Sequence, residues 1–161
     1  MPCLFIGLMC FYTLILSAAD SINWQDYQAG IIRNKTAEKI MIVDVFTVWC
    51  GWCKRMDATT YSDESVIRLI NKYFIPVKLN GESNQLIQLQ GKEYEVPVLL
   101  SGLGIRGFPS TVFIDDKQKV LSVVPGYIQT EDMKKILVFL GEKYYLKKNY
   151  QDFLESYKQP N

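Results

Sequence analysis

The chain has 161 residues, is 48% hydrophobic, and carries 18 basic and 17 acidic residues for a formal charge of +1. That length suits one compact domain with enough apolar side chain to bury a core. The near-neutral balance, without a dense Lys/Arg stripe, speaks against a polyelectrolyte, and nucleic acid is not an expected partner.

The opening, MPCLFIGLMCFYTLILSAAD, holds no charged side chain before Asp20. An apolar stretch closing on Ser17-Ala18-Ala19 has the form of a secretory h-region and a small-residue cleavage site, although no Lys or Arg marks its start. Residues 1–19 are therefore expected to be a signal peptide cleaved after Ala19, and residues 20–161 one mature domain. The alternative is an uncleaved anchor, because nineteen uncharged residues are of borderline length for a membrane span. Cys3 and Cys10 fall in this leader. The mature chain then keeps only Cys50 and Cys53, in a protein with no histidine, and export places that pair among oxidants.

Within the domain, Ile22, Tyr27, Ile31 and Ile32 mark a helix over 22–37. The β-branched run KIMIVDVFTV predicts a strand buried on both faces. Cys50-Gly51-Trp52-Cys53 stands at its end, and CKRMDATTYS begins helically. DESVIRLINKYF predicts a helix capped by Asp63, with Val66, Leu69, Ile70 and Phe74 on one face; IPVKLN predicts a short strand. In 81–103, ESNQLIQLQGKEY reads as a polar helix leading into an extended EVPVLLSG. GIRGFPSTVFIDD and KVLSVVPGY form a predicted hairpin about 115–118. TEDMKKILVFLGEKY is an amphipathic helix capped by Thr130, and NYQDFLESYK a helical tail. Strands alternating with helices before a hairpin predict an α/β fold, a mixed sheet covered on both faces.

Two cysteines at i and i+3 on the first turn of a helix face one side, within disulfide reach. At the helix N-terminus, free N–H groups and the helix dipole favour a Cys50 thiolate, while Cys53 is expected one turn further in and more buried. That asymmetry provides an attacking and a resolving thiol. Structural zinc would need four ligands, and neither a histidine nor another mature cysteine completes a set. A structural staple closing so short a loop would gain little chain entropy. Redox chemistry is the favoured reading of the three, with the dithiol/disulfide itself as the redox group and no separate cofactor or metal.

Several segments together resemble the thioredoxin superfamily, and secreted bacterial thioredoxin-like proteins in particular: VDVFTVWCGWCK, VKLN, GIRGFPSTVFI and PGYIQTEDMKKIL, spanning about 43–140. The resemblance implies that Cys50 is the nucleophile and Cys53 the resolving cysteine, with Gly51 and Trp52 between them and Trp49 just before. It implies that Pro109 is a cis-proline facing the dithiol and that Phe108 offers backbone groups to an extended substrate. Gly126 falls in the glycine-containing turn before the last helix. Asp44, six residues before Cys50 and flanked by Ile42, Val43, Val45 and Phe46, matches the family's buried aspartate; desolvation would raise its pKa and fit it to accept the Cys53 proton. Lys78 matches that aspartate's basic partner. Gly-Trp between the cysteines departs from the Gly-Pro of ordinary thioredoxins, and no histidine stabilises Cys50 as in protein disulfide isomerases. The expected protein is an exported, monomeric thiol–disulfide oxidoreductase. It would act on disulfide-containing exported proteins and be re-reduced by a membrane-bound thiol donor. An oxidase or isomerase, and a non-catalytic binding module, are the alternatives.

Overall fold

The computed structural model describes residues 21–157, and the predicted signal peptide at 1–19 lies outside them. Four strands form one mixed sheet in the order β2-β1-β5-β6: β1 (Ile40–Phe46), β2 (Phe74–Asn80), β5 (Ser110–Ile114) and β6 (Val120–Pro125). β1 runs parallel to β2 and antiparallel to β5, and β5 runs antiparallel to β6. A separate two-stranded hairpin joins β3 (Leu86–Leu89) to β4 (Lys92–Glu95).

Helices cover both faces, as the strand composition requires. Alternation along β1 sends Met41, Val43 and Val45 into one core with Tyr27 and Ile31 of α1 (Tyr27–Ala37) and Leu99 and Leu100 of α4 (Val96–Gly102). Ile40 and Ile42 enter the other. There they meet Met56 of α2 (Gly51–Ala58), Val66 and Ile70 of α3 (Glu64–Tyr73), and Met133 and Leu137 of α5 (Thr130–Gly141). A 3₁₀ turn at Tyr144–Leu146 and α6 (Tyr150–Ser156) end the described chain, with Phe153 buried.

Several expectations are corrected. The first helix starts at Tyr27 rather than Ile22. Asp26 caps it, and Gln25 makes an isolated parallel bridge to Val77 at the edge of β2. Phe74 both caps α3, its N–H donating to Ile70 O, and opens β2, and its ring is buried in the same core as Val66 and Ile70. The helix and extended segments expected in 81–103 are exchanged. Residues 86–95 form the hairpin because Ile87 and Leu89 alternate inward, and Gln90 and Gly91 both take left-handed φ, 53° and 76°, as a two-residue turn of primed type requires. EVPVLLSG turns helical because Val96, Leu99 and Leu100 have i, i+3, i+4 spacing and Pro97 sits in the first turn, where its missing N–H is not needed. Gln129, not Thr130, occupies the cap of α5, without a side-chain bond.

α1 lies close on the sheet because residue 30 has no side chain: a Cβ there would overlap Val77 Cγ2 and lie 3.0 Å from Met41 Sδ. Gly30→Ala is accordingly expected to destabilise the fold by about 1–3 kcal/mol despite the better helix propensity of alanine. Urea unfolding measures this, and an unchanged or raised midpoint would contradict the packing.

Candidate active site

Parallel pairing places the C-terminal ends of β1 and β2 together, and antiparallel β5 brings its N-terminal end to the same edge. Cys50 follows β1 there as the N-cap of α2. Its Sγ accepts the Cys53 N–H at 3.0 Å, as a capping side chain does, and is bonded to Cys53 in a disulfide with the two Cα atoms 5.3 Å apart. The expected difference in burial between the sulfurs is not found. Both residues are 4% exposed. What distinguishes them is position: Cys50 lies at the open helix end and Cys53 within the first turn.

The tryptophans are surface residues rather than core. Trp49 is 63% and Trp52 56% exposed. Trp49 Nε1–H donates to both carboxylate oxygens of Glu82 at 3.0 Å, and its ring meets Phe108 edge-on at 6.1 Å. Trp52 packs on Tyr127 with centroids 5.6 Å apart. The Phe108–Pro109 peptide bond is cis. Phe108 packs over Gly81, where a Cβ would collide with its ring. Pro109 O accepts the N–H of Gly126, which has φ +84° and so occupies a conformation that favours glycine. Gly51, by contrast, has open space around it, and nothing in the structure requires glycine there. Gly102, Gly104 and Gly107 have G-x-G-x-x-G spacing, but they follow a helix and precede a strand, the reverse of a dinucleotide-binding turn.

Below the dithiol, Asp44, Lys78 and Thr111 are register partners across β1, β2 and β5, making one polar row on an apolar sheet face. Asp44 is 2% exposed, and Lys78 Nζ donates to its Oδ2 at 2.6 Å. Lys78 also pairs with Asp57 of α2 and lies over the rings of Trp24, Phe46 and Tyr61 at 4.9, 5.4 and 5.4 Å. Burial pushes the Asp44 carboxyl above its ordinary value, with Lys78 pulling in the opposite direction. Burial and the nearby Asp44 charge push the Tyr61 hydroxyl well up, so it keeps the proton that it directs at Asp44 Oδ1, 3.5 Å away.

From sequence, Cys50, Cys53, Trp49, Trp52, Phe108 and Pro109 are expected on one surface, with Asp44 and Lys78 paired beneath it. That expectation misses Asp57, Tyr61, Trp24, Glu82, Tyr127 and Arg55. Asp57 carries a usable signal, standing one helical turn after Cys53. Trp24 and Tyr61 carry none, because only tertiary packing, with Gln25 bridged to Val77 next to Lys78, sets their rings around Lys78.

Three comparisons bear on this arrangement. A family model described as a thioredoxin-like domain matches residues 27–141, which include every site residue named above except Trp24. The thiol:disulfide interchange protein DsbD of Photorhabdus laumondii is 28% identical over 108 residues, covering 66% of this chain and 17% of that protein. The chain thus spans a small part of that relative's length. A thioredoxin-fold protein from Helicobacter pylori superimposes with a TM-score of 0.61 at 19% identity, over 74% of this chain and 80% of that one. A thioredoxin from Thermus thermophilus gives a TM-score of 0.59 at 18% identity, over 77% and 93%. At such identities the two structures establish the fold alone.

The raised carboxyl gives a signed pH effect. The folded chain holds the Asp44 proton better than the unfolded chain, whose carboxyl has the ordinary 3.8. The stability this contributes is complete below that value and is lost as pH rises through the raised one. Asp44→Asn removes the loss, so the variant gains stability relative to the wild type as the pH goes from about 4 to about 8. Urea unfolding of the oxidised proteins checks this; a difference that stays constant or moves the other way would refute the assignment.

Proposed function

This chain belongs to the thioredoxin-like domain family, and on that premise we propose that it is an exported thiol–disulfide oxidoreductase, reducing or exchanging disulfides of other exported proteins through the Cys50–Cys53 couple. The observation that carries the reading is the Cys50–Cys53 disulfide closed at the N-cap of α2, with the Cys53 N–H aimed at the Cys50 sulfur. In the reduced protein the same N–H and the helix dipole would favour a Cys50 thiolate.

The Cys50 thiolate attacks one sulfur of a partner disulfide, forming a mixed disulfide and expelling the partner's other sulfur as a thiolate. Cys53 gives its proton to Asp44, and its thiolate attacks the Cys50 sulfur. The partner's second cysteine leaves as a thiolate, the partner has gained two electrons, and Cys50–Cys53 is oxidised. Asp44 suits the role because burial raises its proton affinity while Lys78 stabilises its charged form between turnovers. The Phe108 backbone, just before β5, would pair with an extended partner segment. Return to the dithiol needs an external thiol donor, and a membrane-bound one fits an oxidising compartment. The similarity to a thiol:disulfide interchange protein supports this class of chemistry.

With no imidazolium between the cysteines, the thiolate is stabilised mainly by the helix end. Redox titration is therefore expected to place the couple nearer the about −270 mV of a reductant than the about −120 mV of a strong oxidant; a value at the oxidising end would reverse the direction of flow. Cys53→Ser is expected to accumulate a mixed disulfide through Cys50 with exported disulfide proteins, and a Cys50→Ser, Cys53→Ser double variant none. Absence of any adduct with the single variant would leave a non-catalytic binding module instead.

A further inference from the structure

β1, β2 and β6 point the same way and β5 against them, so the ends of all four strands that carry the site lie along one edge of the sheet. Cys50 leaves β1 near the middle of that edge. The chain leaving β2 brings Glu82 to one flank, and the chain leaving β6 brings Tyr127 to the other. On the β2 flank the exposed Trp49 fixes the Glu82 carboxylate through its indole N–H. On the β6 flank the Arg55 guanidinium lies 5.3 Å from the Trp52 ring centroid and 5.8 Å from that of Tyr127, whose hydroxyl is 3.0 Å from Thr59 Oγ1. Among the described residues neither Glu82 nor Arg55 enters a salt bridge. Both are exposed.

We infer that the dithiol is framed by two aromatic walls of opposite charge, which select an extended partner segment with a basic residue on the Glu82 side of its reacting cysteine and an acidic residue on the Arg55 side. The inference rests on the exchange function proposed above and adds partner selection to it. Each wall combines an aromatic face for apolar contact with one unneutralised charge held in place before the partner arrives. Arg55 is positioned by two π-faces and Glu82 by an indole donor, so little side-chain freedom is lost on docking. Charges at the rim of an interface act chiefly on encounter and on the choice between partners. At a few ångströms in a partly solvated site, each matched pair changes the rate by a factor of about two to three, within the reach of salt screening.

The test uses the reduced protein and three short peptides, each oxidised to a disulfide dimer through one cysteine: Lys-Ala-Cys-Ala-Glu, the reversed Glu-Ala-Cys-Ala-Lys, and the neutral Ser-Ala-Cys-Ala-Ser. Second-order rates of peptide reduction are read by chromatography after acid quench. One charged order is expected to react about fivefold faster than the other at low ionic strength, and the two to converge at about 1 M salt. Arg55→Glu or Glu82→Lys alone should flatten the preference, and the double variant Arg55→Glu, Glu82→Lys should invert it. Equal rates for the two orders, or the same order preferred after the charge swap, overturns the inference while reduction of the neutral peptide keeps the exchange function standing. No reduction of any peptide overturns both.

Discussion

Moving a carboxylate out of water onto an apolar sheet face is opposed by several kcal/mol unless compensating charge and donors move with it. Here the parallel register of β1 and β2 provides part of that compensation by setting Lys78 beside Asp44, and burial still leaves the carboxyl with a raised pKa. The ammonium in turn is fixed by Asp57 and by the rings of Trp24, Phe46 and Tyr61, which come from the segment before the first helix, the central strand and the loop between α2 and α3. A cation held by so many elements ties the start of the domain, the sheet and α2 to one point. The dithiol stands at the start of that same α2, one helical turn before Asp57.

The second constraint is topological. In a β2-β1-β5-β6 sheet with only β5 reversed, the ends of three strands and the start of the fourth converge. Their loops contribute Glu82, Trp49, Phe108 and Tyr127 to one surface without any of them being near another in sequence, apart from Trp49 and the cysteines. The close fits around that surface follow from the same convergence: Gly81 yields to the Phe108 ring, and Gly126 takes a left-handed turn to meet the Pro109 carbonyl. The hairpin β3–β4 and helix α4 pack on the opposite core from the polar row, with Ile87, Leu89, Val96, Leu99 and Leu100 buried there. They thicken that side of the sheet.

Legibility in the sequence followed the range of the forces involved. β1 and the start of α2 were readable, because a β-branched run and an abrupt change of periodicity at Cys50 are local signals. The hairpin β5–β6 was readable from its turn residues. Segment 81–103 was misread for two physical reasons. Leu86 and Leu89, three apart, imitate helical spacing although Ile87 and Leu89 are the inward pair, and Pro97 looks like a breaker although it sits where a helix tolerates proline. Residues 22–26 look helical because Ile22 and Tyr27 are apolar and both are in fact buried, yet Gln25 finds its hydrogen bonds on Pro76 and Lys78 of the neighbouring strand. Burial alone does not reveal which backbone partner a residue will take.

The dithiol, its place at a strand-to-helix junction, the proline before β5 and a carboxylate among apolar neighbours are all legible in the chain, since each is a property of adjacent residues. Tertiary structure alone decided that Lys78 stands between two carboxylates and three rings, that both cysteines are equally covered, and that Glu82 and Arg55 flank them with opposite charge. These depend on strand order and register, which join residues tens of positions apart through hydrogen bonds and core packing that no local pattern encodes.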